Sequence, residues 1–158
     1  MKRFTFICIV LFSLNVYAEK AYQITYFENG NVATEGWVEK NKKTNYWKFY
    51  HSNGILKSEG HYENNDKTKY WYFYRKDGTL KSEGHFLENK KCNWWLFYDS
   101  EEKINHKCQL KNNQKDGYCL MYKNERLISA VQYSEGEKIK EWTNLRSFRK
   151  ENSLRDLR

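Results

Sequence analysis

The chain has 158 residues, enough for one domain, and a formal net charge of +8 at pH 7. Only 39% of it is hydrophobic, too little aliphatic material for a thick two-layer core, yet 18% is aromatic, which excludes disorder. It contains no proline, so no proline-rich linker divides it.

Residues 1–18 stand apart. Lys2 and Arg3 precede an apolar run from Phe4 to Leu14, and small residues stand at Val16 and Ala18. This is the pattern of a secretory signal peptide cleaved after Ala18. The run is too short to span a bilayer comfortably, which ranks a retained N-terminal anchor second. Cys8 lies too early in the run for a lipid-attachment cysteine. Cleavage removes Lys2 and Arg3 and lowers the formal charge from +8 to +6. Export places Cys92, Cys108 and Cys119 where disulfides are permitted. No CxxC pair occurs, which excludes a zinc ribbon.

Residues 19–142 repeat with a period of 24: Trp47, Trp71 and Trp95 keep this spacing, Cys119 follows 24 later and Trp142 a further 23. The segments "YWKFY", "YWYFY", "WWLFY" and "YCLMY" are copies of one strand. Asn29-Gly30, Asn53-Gly54 and Asp77-Gly78 signal two-residue hairpin turns, in which both residues take positive φ. At the other end of each unit Asn41, Asn65, Asn89 and Asn113 recur, so a turn falls every 12 residues. The expected fold is all-β: an elongated single-layer antiparallel meander of β-hairpins.

These turns imply a register. A loop at Asn53-Gly54 sets Trp47 opposite Gly60, and a loop at Asn41-Lys42 sets it opposite Gly36. One row then crosses the sheet: Gly36, Trp47, Gly60, Trp71, Gly84, Trp95. Each indole covers a glycine that has no side chain, a device that stabilises sheets. By strand alternation the same face takes Phe49, Phe73, Phe97, Leu56, Leu80 and Tyr62. The other face takes Tyr50, Tyr74, Lys57, Lys81, Glu59 and Glu83, its acids expected to pair with lysines across strands. In the fourth unit Cys108 replaces the glycine and Cys119 the tryptophan, so the two are expected to form a disulfide around an Asn113-Gln114 turn. Cys92 is left without a partner, either inert or available for dimerisation.

The segments "WKFYHSNGILKSEGHYENN" and "WYFYRKDGTLKSEGHFLEN" resemble the variant MORN repeat, whose pattern runs W-x-x-Y-x-x-x-G-x-L-x-x-E-G-x-Y. The resemblance covers residues 22 to about 142 and is most specific from Trp47 to Glu88. It decays after Glu101, where "EEKINHKC" lacks both glycines. It implies a hairpin sheet used as a scaffold for proteins or membrane surfaces, of a type found in bacterial exported proteins and antitoxins, and it carries no catalytic residues. A second stretch, "EGWVEKNKKTNYWKFYHSNG", is similar to choline-binding repeats, in which aromatic side chains cage a quaternary ammonium. Those repeats are usually shorter, and Gly36-Trp37 is the one Gly-Trp dipeptide in this chain.

Little else suggests chemistry. His61 and His85 are repeat equivalents two strands apart, about 9.6 Å, too far to share a zinc ion. They are expected to hydrogen-bond near Tyr46 and Tyr70. No Ser-His-Asp order, P-loop or HExxH occurs, and Glu59 and Glu83 lie on a repetitive surface rather than across a cleft. A non-enzyme without cofactor or metal is expected. Lysine and arginine are spread over every unit, and export argues against a nucleic-acid partner.

Residues 143–158 change character. Leu145, Phe148, Leu154 and Leu157 form an apolar stripe at helical spacing, with Thr143 or Asn144 as the N-cap. This short C-terminal helix is expected to cover the open end of the sheet, or else to act as a basic segment docking a membrane or partner. The reading is of an exported interaction scaffold in the envelope, antitoxin-like or immunity-like, with a protein partner. The alternative is aromatic-cage binding of choline, a glycan or an anionic lipid surface. The binding candidates are Trp47, Phe49, Trp71, Phe73, Trp95 and Phe97.

Overall fold

The structure is a computed structural model that describes residues 19–153 and Leu157; the expected signal peptide and Leu154 lie outside the described residues. Eleven strands follow one another in a single sheet, each antiparallel to its chain neighbours. They are β1 (Ala21–Tyr26), β2 (Val32–Glu39), β3 (Lys42–Tyr50), β4 (Leu56–Glu63), β5 (Asp66–Tyr74) and β6 (Leu80–Leu87), then β7 (Lys90–Tyr98), β8 (Ile104–Lys111), β9 (Gln114–Lys123), β10 (Arg126–Ser134) and β11 (Glu137–Trp142). One helix, α1 (Leu145–Glu151), follows. The sheet does not close, so β1 and β11 are its edges.

The expected row is present. Gly36 pairs with Trp47, Trp47 with Gly60, Gly60 with Trp71, Trp71 with Gly84 and Gly84 with Trp95. It continues through Cys108, Cys119 and Val131 to Glu141. A Cβ on Gly36, Gly60 or Gly84 would lie 2.3, 2.3 or 2.5 Å from the indole of Trp47, Trp71 or Trp95. Only glycine fits beneath these rings. Trp142 does not join the row: it pairs with Ala130 and lies on the opposite face.

The route to this row differs from the expected one. Asn53-Gly54 is not a two-residue turn. His51 N donates to Ile55 O (2.8 Å) and Gly54 N to His51 O (2.9 Å), which makes Ser52, Asn53 and Gly54 a three-residue loop with positive φ at Gly54. At the other rim the two-residue turns are Lys40-Asn41, Asn64-Asn65, Glu88-Asn89 and Asn112-Asn113, all with positive φ at both residues, so Asn41-Lys42 and Asn113-Gln114 were each one residue late. β-bulges restore the pairing. Phe49 pairs with Ser58 but Tyr50 with Leu56, leaving Lys57 extra. Gly60 pairs with Trp71 but His61 with Thr68, leaving Lys69 and Tyr70 extra. The first bulge also corrects two core assignments: Leu56 and Leu80, which simple alternation puts beside the tryptophans, pair with Tyr50 and Tyr74.

The second bulge serves the tryptophans. Its αL residue is Asn45, Lys69 or Asn93, with φ of 59, 60 and 59°, and the kink releases carbonyls from the ladder. The Trp47 indole N–H donates to Trp37 O (2.9 Å) and Thr44 O (3.1 Å), that of Trp71 to His61 O (3.2 Å) and Thr68 O (3.1 Å), and that of Trp95 to His85 O (3.1 Å). A buried indole N–H needs such a partner. Rim contacts lock neighbouring units together. The Asn65 side-chain oxygen accepts from Lys43 N (2.7 Å) while Asn65 N donates to Lys43 O (3.1 Å), and Asn89–Lys67 and Asn113–Lys91 repeat the pair.

The core has two parts. Trp71, Phe86, Trp95, Cys108, Leu110, Cys119 and Val131 form a cluster on the tryptophan face, flanked by Phe49, Tyr62, Phe73 and Phe97. On the opposite face, near the C-terminal end, Tyr118, Leu120, Ala130, Trp142 and Phe148 form another, with Trp94 and Leu157 against it. Asn144 caps α1 by accepting from Ser147 N (2.8 Å). The helix therefore packs on a face of the last strands and does not cover the open end. β11 stays exposed apart from Trp142 and is guarded by its own charges.

Candidate functional site

The tryptophan face is built from three layers of side chains. Lowest are Trp47, Trp71 and Trp95, which are 1, 0 and 0% exposed; they are structural and out of reach of any ligand. Phe49, Phe73 and Phe97 are half-buried beside them. The rings form one continuous series, with Trp71 stacked on Phe73 (6.0 Å between centroids) and Phe73 5.9 Å from Trp95.

The top layer is a lysine row that the sequence reading did not single out. Lys43 Nζ sits over Trp47 (4.7 Å), Phe49 (4.9 Å) and Tyr62 (5.3 Å). Lys67 sits over Trp71 (4.6 Å) and Phe86 (5.3 Å), and Lys91 over Trp95 (4.1 Å). Lys115, next in the series, lies over Tyr133 at 4.5 Å. Burial lowers the pKa of Lys43, Lys67 and Lys91, and neighbouring ammonium groups add to this at Lys67 and Lys91. The signal was present in the sequence: these four lysines keep the 24-residue period. The face is thus aromatic underneath and cationic at its surface.

The opposite face carries a tyrosine–glutamate ladder. Tyr50 donates to Glu35 (2.6 Å), Tyr74 to Glu59 (2.9 Å) and Tyr98 to Glu83 (2.5 Å). Glu59 and Glu83 are thus held by tyrosine hydroxyls 15 residues further along the chain, where lysine pairs were expected. Burial, then the glutamate partner, raises the pKa of Tyr50, Tyr74 and Tyr98. Tyr46 and Tyr70 are pushed up to about 12 by burial, with Glu59 and Glu83 adding to it.

The histidines do not converge. His61 packs against the edge of Tyr46 (4.9 Å) and His85 against Tyr70 (4.7 Å), ring contacts where hydrogen bonds were expected. His51 Nε2 lies 3.2 Å from Tyr74 O, and His106 stacks on Phe97. Among the described residues no group of three or more His, Cys, Asp or Glu side chains is placed to hold a metal ion. Cys108 and Cys119 form the expected disulfide across β8 and β9, which is compatible with an oxidising, exported location. Cys92 is free and half-buried, its thiol pKa raised by burial.

No protein-family model matches this chain, and no curated protein matches it.

Proposed function

We propose that the protein is a non-catalytic, exported interaction platform of the variant MORN type, working in a bacterial envelope and binding a protein partner through its tryptophan face. The observation that carries this reading is the row of Lys43, Lys67 and Lys91 seated on buried rings. The rings hold each ammonium in place, and its partial burial makes an incoming carboxylate more valuable than at a freely hydrated lysine. Equivalent lysines two strands apart recur at about 9.6 Å, a spacing that suits an extended acidic segment. An inhibitory or immunity-like role would use the same rigid, charged surface to cover a partner's active region.

The choline alternative fares worse, because the chain's own lysines already occupy the cation positions over the rings. Anionic lipid or glycan would use the same row and is separated from protein by the test. Envelope extract is passed over the immobilised protein and over a Lys43→Glu/Lys67→Glu/Lys91→Glu variant. The expected result is an acidic protein retained by the first, released by salt, and lost from the second. Equal retention by both, or a tryptophan fluorescence shift with choline, contradicts the reading.

A further inference from the structure

The two edges of the sheet differ in kind. Four of the six residues of β11 are charged: Glu137, Lys138, Lys140 and Glu141. Three of them are tied up locally, Lys138 with Glu141 (2.6 Å) and Lys140 with Glu151 (2.5 Å). This is how sheets discourage strand addition. Strand β1, Ala-Tyr-Gln-Ile-Thr-Tyr, has no charge at all and is exposed along its whole length. Tyr22, Ile24 and Tyr26 are 48, 42 and 62% exposed, and Trp37 beside them 37%. Half of the eight large exposed hydrophobics among the described residues therefore lie on these first two strands. An edge strand also turns every second N–H and C=O away from its sheet.

We propose that β1 is a dimerisation edge, and that its occupant is β1 of a second copy of this chain. The strand is self-complementary when run antiparallel to itself. A two-fold axis perpendicular to the sheet, passing through Ile24, keeps each residue on its own face. It sets Ile24 against the same residue of the second copy, Tyr22 against Tyr26 and Gln23 against Thr25. The flanking charges fit the same register: Lys20 of each copy approaches the end of the other that carries Glu28. The exposed apolar patch of each chain, Tyr22, Ile24, Tyr26 and Trp37, then merges with its twin. Pairing β1 with β11 of another copy would instead set an uncharged strand against a charged one and generate an open filament. In the isologous dimer both guarded β11 edges face outward, and the two lysine rows lie on one face of a continuous sheet.

The test is the oligomeric state of the protein, expressed from its full-length sequence and purified under oxidising conditions, by sedimentation equilibrium. The wild type is expected to be a dimer. Ile24→Lys places two like charges at the axis and weakens self-association about 100-fold or more, with the far-ultraviolet circular dichroism unchanged. Lys20→Glu weakens it less, and adding Glu28→Lys restores it. In a Cys92→Ser background, Ile24→Cys yields a disulfide-linked dimer, because the two positions face each other. A monomeric wild type, an Ile24→Lys variant that still dimerises, or the absence of that cross-link overturns the proposal.

Discussion

The units from β2 to β7 and the unit formed by β8 and β9 fill the same sheet position in different ways. In the former a glycine lies beneath an indole; in the latter Cys108 and Cys119 bridge the two strands covalently. The bulge is common to both. Its positive-φ residues are Asn45, Lys69, Asn93 and then Gly117, which keep the 24-residue period, and the register still shifts beyond Cys108. No indole is present at the last of these. There the Gln109 side-chain oxygen accepts from Tyr118 N (2.7 Å). The bulge thus belongs to the backbone of the strand pair, and tryptophan exploits the carbonyls that it exposes. The opposite face changes over the same boundary, from a tyrosine–glutamate ladder to an apolar cluster under α1.

The largest effect is expected at the centre of the ordinary units. Trp71→Ala removes the fully buried ring that joins four aromatic contacts and covers Gly60. It should cost about 3–5 kcal/mol, read as a lower midpoint in urea. Breaking the alternative device should cost less. Cys108→Ser with Cys119→Ser opens a covalent loop with a sequence separation of 11 and should cost about 2–4 kcal/mol. Reductant should reproduce that loss in the wild type and do nothing to the double variant.

A rim variant acts on the joint between units. Asn65→Ala strands the Lys43 N–H and places alanine at a φ of 75°. It should cost about 1–2 kcal/mol, read as a lower midpoint in urea. The smallest effect is alkaline. The folded-state pKa values of Tyr50, Tyr74 and Tyr98 lie above the usual value of 10.0. Their contribution is full below the unfolded pKa and is lost as pH rises through the folded one, since the unfolded chain then binds fewer protons. Thermal midpoints should fall above about pH 10, and Tyr74→Phe should flatten that fall.

The row of tryptophans over glycines was legible because two patterns agreed: the period of 24 and the Asn-bearing turns. The bulges were not legible, since a bulge adds residues without changing the repeat length, and every turn position was compensated by one. Lys69 at positive φ carries no sequence signal at all. The disulfide followed from the register, because Cys108 and Cys119 replace both members of one pair. The tyrosine–glutamate ladder was missed because its partners are 15 residues apart, a spacing that only stacked hairpins bring together. Leu56 and Leu80 were misplaced because strict alternation fails at a bulge.

The central claim is that each glycine of the row exists to admit its indole. A double-mutant cycle on Gly60 and Trp71 tests it directly. With Trp71 present, Gly60→Ala puts a methyl group 2.3 Å from the ring and should destabilise by about 1–3 kcal/mol. With Trp71→Ala the obstruction is gone, and the same substitution should become neutral or stabilise by roughly 0.5–1 kcal/mol, as alanine for glycine does in an ordinary strand. An equal cost in both backgrounds would contradict the account.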